Sequence, residues 1–259
     1  MQSNHPYLAG TFPRAFVHRG WHLDELEGME NSLSSFRRAA AEGFQYLETD
    51  VHATSDGVVV VHHDRRLERT TDGHGPIAAQ PWQTVSRAKI GGREPVARLE
   101  DLLEELPEAR FNVDVKSARA VLPFLKVVER MGAYERVAAA SFSDARLARI
   151  RRLAGPKLIT SMGPGSTAVL WANGWTPWLR LGFPHRGQMA QVPVSQGPLT
   201  VVTRSFMRSA EHVGVEVHAW TINDQAEMRR LLDLGVRGIV TDRPDLLREV
   251  LKERGAWPS

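Results

Sequence analysis

The chain has 259 residues, 42% of them hydrophobic and 24% charged, and its net charge of +3 is spread over short basic clusters without a nucleic-acid-binding module. It has no cysteine, which excludes disulfides, thiolate metal sites and a cysteine nucleophile. No apolar stretch reaches the roughly 18 residues of a transmembrane helix, and Met1–Gly10 does not resemble a signal peptide, so we expect a cytoplasmic protein without stable membrane insertion.

Short apolar runs alternate with amphipathic stretches, which is the pattern of βα units around a parallel sheet. Strands are predicted near Ala15–Arg19, Tyr46–Thr54, Phe111–Lys116, Val137–Ser141, Leu158–Met162, Met189–Val194, Val215–Ile222 and Gly238–Thr241. Helices are predicted at Ser32–Glu42, Leu99–Leu106, Ala118–Met131, Asp144–Leu153, Phe206–Val213, Asp224–Leu234 and Arg243–Glu253. Eight candidate strands favour one domain over residues 1–259 with an α/β fold, a closed (β/α)8 TIM-type barrel.

A short β-hairpin is predicted directly after the second strand. The link to the next apolar run is too short for a parallel crossover, and Asp56-Gly57 is a strong hairpin-turn signal. An even-length loop places His63 on the same face as Glu48 and Asp50 and turns His62 to the other face. A three-residue loop with a bulge would break this relation.

Charged side chains interrupt the apolar runs at the carboxyl ends of predicted strands, where barrels carry their active sites. They are His18 and Arg19 after the first strand, Glu48 and Asp50 in the second, His63 after the hairpin strand, and Asp114 and Lys116 in the third. A lone strand carboxylate is usually solvated and a lone histidine is usually a surface group. Charges inside three barrel strands, however, are costly unless they are paired or bound to a metal.

These residue types suit one reaction. Three carboxylates favour a hard divalent cation, Mg²⁺ or Ca²⁺, with Glu48, Asp50 and Asp114 as ligands. Arg19 and Lys116 are suited to bind a phosphate. Two imidazoles, His18 and His63, supply the acid and the base that phosphodiester cleavage needs near neutral pH.

The ordered motifs of the chain resemble the glycerophosphodiester phosphodiesterase family over roughly residues 15 to 250. The matching segments are His18-Arg19-Gly20, Glu30-Asn31-Ser32, Leu47-Glu48-Thr49-Asp50-Val51, Asp56-Gly57, His63-Asp64, Leu67-x-Arg69-Thr70-Thr71, Asn112-Val113-Asp114-Val115-Lys116, Trp220-Thr221-Ile222-Asn223 and Gly238–Pro244. Each motif alone is weak, whereas the ordered set is specific.

The resemblance implies a (β/α)8 barrel, one divalent cation, and hydrolysis of a small-molecule glycerophosphodiester to glycerol 3-phosphate and an alcohol. It implies that His18 and His63 form the acid/base pair, and that the substrate's 2-hydroxyl attacks phosphorus to give a cyclic phosphate. The family usually has glutamate at the position of Asp114, so the third ligand implied here is one methylene shorter.

Two alternative functions are a lysophospholipase D-like phosphodiesterase with a more apolar pocket and a catalytically silent phosphate-binding barrel. Retention of both histidines argues against the silent barrel, because binding alone needs no proton transfer. Trp220 at a predicted strand end is expected to line the pocket. The Trp-rich segment Trp171–Trp178 either packs against the barrel, which we favour, or forms an aromatic rim for lipid-like substrates.

Overall fold

The computed structural model describes residues 4–10, 12–174 and 187–257. The strands are β1 (Arg14–His18), β2 (Tyr46–Ala53), β3 (Val59–Val61), β4 (Lys89–Ile90), β5 (Glu94–Pro95), β6 (Arg110–Val115), β7 (Val137–Ala140), β8 (Ile159–Thr160), β9 (Met189–Pro193), β10 (Ser195–Gln196), β11 (Leu199–Thr200), β12 (Glu216–Trp220) and β13 (Gly238–Thr241). The α-helices are α1 (Leu33–Ala41), α2 (Trp82–Val85), α3 (Leu99–Glu105), α4 (Val121–Arg130), α5 (Asp144–Ala154), α6 (Pro164–Asn173), α7 (Arg204–His212), α8 (Gln225–Asp233) and α9 (Pro244–Glu253).

Parallel strands form a barrel, as predicted. In the described residues, eight of them follow the order β8-β7-β6-β2-β1-β13-β12-β9. The two ends of this sheet meet through a parallel bridge between Ser161 and Met189. Two backbone hydrogen bonds, from Met162 N to Met189 O (2.7 Å) and from Gln188 N to Thr160 O (3.0 Å), hold this seam. The (β/α)8 fold is therefore confirmed, and Met189–Pro193 is one of its strands.

Each wall strand packs one face on the surrounding helices and turns the other inward. Leu47 and Val51 of β2 join the apolar layer beneath the helices, while Tyr46 points into the barrel. At the amino-terminal end of the barrel, Tyr7 and Leu8 close the interior against Tyr46. This apolar plug leaves the opposite end of the barrel for the polar residues.

A buried ion pair between Arg14 and Glu216 lies at the amino-terminal end of the barrel, beside Leu8 and Tyr46. Arg14 is 1% exposed, and its Nε and Nη2 donate to the two Glu216 carboxylate oxygens at 2.9 and 3.0 Å. Its Nη1 donates to the Tyr46 hydroxyl at 2.6 Å. Burial alone would raise the pKa of Glu216, but hydrogen bonds from His218 and Arg14 lower it to about 2.

Replacing Glu216 by alanine should destabilise the fold by about 3–5 kcal/mol, because the Arg14 charge would stay buried without its partner. Chemical denaturation at pH 7 measures this loss. The stability that Glu216 contributes is present above its unfolded-state pKa of about 4.3 and should be lost as the pH falls toward about 2. Glu253→Ala is a matched control, since this surface partner of Arg229 should cost less than about 1 kcal/mol. Equal losses for the two variants would contradict the prediction.

The predicted hairpin exists, but the predicted register differs from the observed one by one residue. Val51 pairs with Val61 and Ala53 with Val59, so the loop has three residues instead of two. Gly57 adopts a φ of +86° and donates to Thr54 O at 3.1 Å, which is a turn followed by a left-handed bulge residue. The argument that placed His63 on the face of Asp50 by strand alternation is therefore invalid.

The ends of the predicted elements lie within three residues of the observed ones, and the differences and the elements that were missed have local causes. Helix α7 begins before Phe206 because the Thr203 side chain caps it by accepting from Phe206 N at 3.1 Å. Helix α6 was not predicted, since its Pro164-Gly165 start is typical of a turn. Helix α2 and the hairpins β4–β5 and β10–β11 are too short to show a period. Among the described helices, none has the length and apolar character needed to cross a bilayer.

Candidate active site

A cavity of about 600 Å³ opens at the carboxyl ends of the barrel strands. The predicted acid/base, metal and phosphate residues all line it, namely His18, Arg19, Glu48, Asp50, His63, Asp114 and Lys116. Trp220 also lines the cavity, as predicted. Much of the remaining lining is apolar, including Phe142, Met162, Trp171, Val192, Leu199 and Val201.

Strand register brings the three carboxylates together. Glu48 and Asp50 are two residues apart on β2, so both point to the cavity. β6 pairs with β2 in parallel, with Asp114 beside Asp50. All three carboxylates are at least 93% buried.

Arg19 leaves β1 in a strained backbone conformation. Its φ is +56°, which is uncommon for a residue with a side chain, and Gly20 follows at +82°. A Cβ at Gly20 would lie 2.1 Å from Ser35 Oγ, so this position requires glycine. The turn directs the Arg19 side chain to the carboxylates, where its Nε is 3.2 Å from Asp50 Oδ2.

His18 is held by an aspartate from the last barrel strand. Its Nδ1 is 2.6 Å from Oδ1 of Asp242, and its Nε2 is 3.7 Å from Oε2 of Glu48. Burial alone would raise the pKa of Asp242, but the hydrogen bond from His18 and the neighbouring His22 imidazole, with Nε2 3.4 Å from Oδ1, hold it well below its usual range. The carboxylate is therefore ionised and accepts a hydrogen bond from Nδ1–H, so that Nε2 is the ring nitrogen that faces the cavity.

His63 has an equivalent partner. Its Nδ1 is 2.6 Å from Oδ1 of the adjacent Asp64, whose pKa is held well below its usual range chiefly by the Arg69 guanidinium. The imidazole of His52 also supports this turn, donating from Nε2 to His63 O at 3.1 Å. Burial lowers the pKa of His52 to about 4, so this ring is neutral at pH 7.

His62 lies behind the turn, as predicted, although not because of strand alternation. Its backbone N–H donates to Asp50 O at 2.9 Å, and the chain leaves the strand at this point. Its ring donates from Nδ1 to Asp64 O (2.9 Å) and accepts at Nε2 from the Thr70 hydroxyl (3.0 Å). Both ring nitrogens are thus used in holding the loop.

Lys116 sits between two of the acids. Its ammonium is 2.7 Å from Asp50 Oδ1 and 2.8 Å from Asp114 Oδ2. Burial alone would lower the pKa of Lys116, but the two carboxylates raise it, so the side chain stays charged. An ammonium has three N–H donors, and one remains for a ligand in the cavity.

The charge balance of the cavity fits a divalent cation. Glu48, Asp50 and Asp114 oppose only Arg19 and Lys116 among the charged residues that line it. Within the described residues, no three His, Asp or Glu side chains already converge as a cation site. Two buried carboxylate oxygens, Glu48 Oε2 and Asp114 Oδ1, nevertheless lack a hydrogen-bond partner there, and burial raises the pKa of both acids. Unpartnered hard oxygens are the ligands that Mg²⁺ and Ca²⁺ prefer.

Aromatic side chains form part of the apolar lining. Trp220 meets Phe142 edge-on, with ring centroids 5.6 Å apart, and Phe142 is 65% exposed. Trp171 lines the cavity and also donates from Nε1 to Thr200 O at 3.1 Å. Trp171 thus both packs against the barrel and lines the cavity. The rest of the Trp-rich segment, from Trp175, lies outside the described residues.

Sequence reasoning assigned no role to several residues that support the site. Asp242 and Asp64 hold the histidines, and Asn31 links β2 by donating to Asp50 Oδ2 (3.2 Å) and accepting from the Thr49 hydroxyl (2.8 Å). A signal existed for Asp242, which directly follows the last barrel strand, as active-site acids do.

Comparisons with known proteins identify relatives of this chain. The model of the glycerophosphoryl diester phosphodiesterase family matches residues 18–246. The probable glycerophosphodiester phosphodiesterase 2 of Mycobacterium tuberculosis is 39% identical over 247 residues, which cover 94% of this chain and 92% of that protein.

Solved structures share the fold. A crystal structure of a protein from Silicibacter pomeroyi aligns with a TM-score of 0.79 at 24% identity, covering 98% of this chain and all of that one (100%). An Oleispira antarctica phosphodiesterase in complex with the product sn-glycerol-3-phosphate aligns with a TM-score of 0.75 at 20% identity, covering 93% and 97% of the two chains. At these identities the two structures establish the barrel fold.

Proposed function

This chain belongs to the glycerophosphoryl diester phosphodiesterase family and is a glycerophosphodiester phosphodiesterase, and we propose that it cleaves its substrate by acid/base catalysis at His18 and His63 with one divalent cation. The products are glycerol 3-phosphate and an alcohol. The observation that carries the proposal is the pair of histidines in one cavity, each bound through Nδ1 to its own aspartate.

The two His–Asp pairs determine which nitrogen handles protons. Because Asp242 and Asp64 accept from Nδ1, proton transfer occurs at Nε2 of each ring. One neutral imidazole accepts the proton of the attacking hydroxyl, and the other, in its protonated form, gives a proton to the leaving alcohol oxygen. The two rings then exchange roles when water opens the cyclic phosphate, which restores the starting protonation states.

Arg19 and Lys116 bind the phosphate in this proposal. The Arg19 guanidinium is ion-paired with Asp50, with Nε 3.2 Å from Oδ2, and its Nη1 donates to Glu30, which leaves Nη2 to donate to a phosphate oxygen. The third N–H of Lys116 donates to the same group. Both cations are fixed before the substrate arrives, so little reorganisation is needed in the transition state.

Glu48, Asp50 and Asp114 would hold the cation, which supplies positive charge to a phosphate oxygen and lowers the pKa of a bound hydroxyl. Its presence would also reverse the excess of negative charge in the cavity, where an anionic phosphodiester has to bind. The shorter Asp114 keeps one oxygen free for this role, since Lys116 takes the other.

The direct test is release of glycerol 3-phosphate from glycerophosphocholine by the purified protein with Mg²⁺ or Ca²⁺. We expect multiple turnovers. Tight phosphate binding without turnover would indicate a silent barrel, and cleavage of lysophosphatidylcholine in preference to glycerophosphocholine would indicate the lysophospholipase D-like alternative. The lipid substrate has to be assayed as well, because apolar residues such as Phe142 and Leu199 line part of the cavity.

A further inference from the structure

A continuous chain of ion pairs runs behind the cavity from the proposed phosphate site to one proposed proton carrier. Arg19 Nη1 is 3.2 Å from Glu30 Oε1. Glu30 then pairs with Arg69, Arg69 pairs with Asp64, and Asp64 accepts from His63. The cavity is lined by the two ends of this chain, Arg19 and His63, but not by its three middle members.

Arg69 is the branch point of the chain because it binds two carboxylates at once. Its Nη1 and Nη2 donate to Glu30 Oε2 and Oε1 at 2.9 and 2.7 Å. Its Nε and Nη2 reach Asp64 Oδ2 and Oδ1 at 2.6 and 3.2 Å. Only a planar guanidinium, with its fixed fork of donors, can form both double contacts, and a lysine ammonium cannot.

Asp64 needs this support. It follows His63 directly, its side chain is 29% exposed, and within the described residues its side chain bonds to His63 and Arg69. Without Arg69, the Asp64 carboxylate would be free to turn into solvent, and the His63 ring would lose its fixed orientation.

We propose that Arg69 is a positioning residue, which orients the His63 imidazole through Asp64 and ties it through Glu30 to the phosphate-binding Arg19. The proposal rests on the function proposed above. Because Glu30 also holds Arg19 independently of Arg69, loss of Arg69 should affect turnover more than substrate binding.

The test compares Arg69→Gln, Arg69→Lys and the wild type with glycerophosphocholine at saturating Mg²⁺. We expect Arg69→Gln to lower kcat about 10- to 100-fold, with KM within about threefold and an unchanged unfolding temperature, because positioning partners typically contribute this much. Arg69→Lys should recover only part of the loss, since charge alone does not restore two forked contacts.

The decisive measurement is made in a His63→Ala background. If Arg69 acts through His63, adding Arg69→Gln to His63→Ala should lower kcat by less than about twofold, because coupled residues are not additive. Arg66→Gln is the matched control from the same loop, since Arg66 pairs with Glu68 at the surface and should leave kcat and KM unchanged.

A full additional loss in the double variant, or wild-type kcat in Arg69→Gln, would overturn the positioning role while the wild-type enzyme still hydrolysed the substrate. Failure of the wild-type protein to release glycerol 3-phosphate would instead remove the proposed function. The two failures are therefore distinguishable in one set of assays.

Discussion

His63→Ala should lower kcat for glycerol 3-phosphate release by roughly 10²- to 10⁴-fold, the usual contribution of a positioned general acid or base. The ring lines the cavity, its Nδ1 is fixed by Asp64, and its Nε2 has no hydrogen-bond partner among the described residues. Its side chain is 34% exposed, so the unfolding temperature should change little. The assay uses saturating metal, and thermal unfolding of each variant is measured in parallel.

His62→Ala is the matched control from the neighbouring position. Both ring nitrogens of His62 are used by Asp64 O and Thr70, and the residue is 1% exposed. Its loss should lower stability by about 1–3 kcal/mol, because a buried carbonyl loses its donor, and should leave kcat within a few-fold. If His62→Ala proved inactive while His63→Ala stayed active, the assignment of the proton carrier would be wrong.

His18→Ala should resemble His63→Ala, because Asp242 gives its ring the same arrangement at Nδ1. The double variant should be much less than multiplicatively worse, since the two rings serve one reaction cycle. Multiplicative losses would contradict a shared proton-transfer cycle.

The sequence predicted the barrel and both faces of β2 because side-chain alternation holds along regular strands. The same rule failed at the hairpin, where the chain leaves regular pairing. With Gly57 in the left-handed conformation, the loop has an odd number of residues, and the strand ends before His62. His63 reaches the cavity because the backbone turns away from the strand at this point. Two hydrogen bonds hold the turn, one from His62 N to Asp50 O and one from the His52 ring to His63 O. His63 thus lines the cavity, as predicted, although the geometric reason given for it was wrong, and its catalytic role stays a prediction.

Long-range partners mark a second limit of the sequence. Asp242 is 224 positions from His18, and nothing local to either residue indicates their 2.6 Å contact. Even Asp64, adjacent to His63, is bonded by Arg69, five positions on, and Arg69 also bonds Glu30, much earlier in the chain. Motif resemblance located these residues, but only the folded barrel shows which atoms pair.

Removing divalent metal with EDTA should abolish hydrolysis, and added Mg²⁺ or Ca²⁺ should restore it. Without a cation, Glu48 and Asp114 each keep a buried oxygen unpartnered, and three carboxyl groups line the cavity with only two cationic side chains. Metal that binds only the folded state should also raise the unfolding temperature. At a metal concentration of 100 times Kd, such binding adds about 2.7 kcal/mol to the free energy of unfolding. Full activity of chelated, metal-free protein would contradict the three-carboxylate site.

Glu48→Gln separates the effect of the buried Glu48 carboxyl group on stability from its proposed role in metal binding and turnover. Burial and the neighbouring Asp50 raise the pKa of Glu48 well above its usual range, so its charge is unfavourable in the metal-free fold. The variant should therefore be at least as stable as wild type without metal, while losing the metal-induced rise in unfolding temperature and lowering kcat by about 10² or more. Glu253→Gln, at the surface, should keep the wild-type response to metal. A Glu48→Gln protein that still gained stability and activity from Mg²⁺ to the wild-type extent would remove Glu48 from the metal site, because loss of a ligand carboxylate weakens the binding of the metal itself.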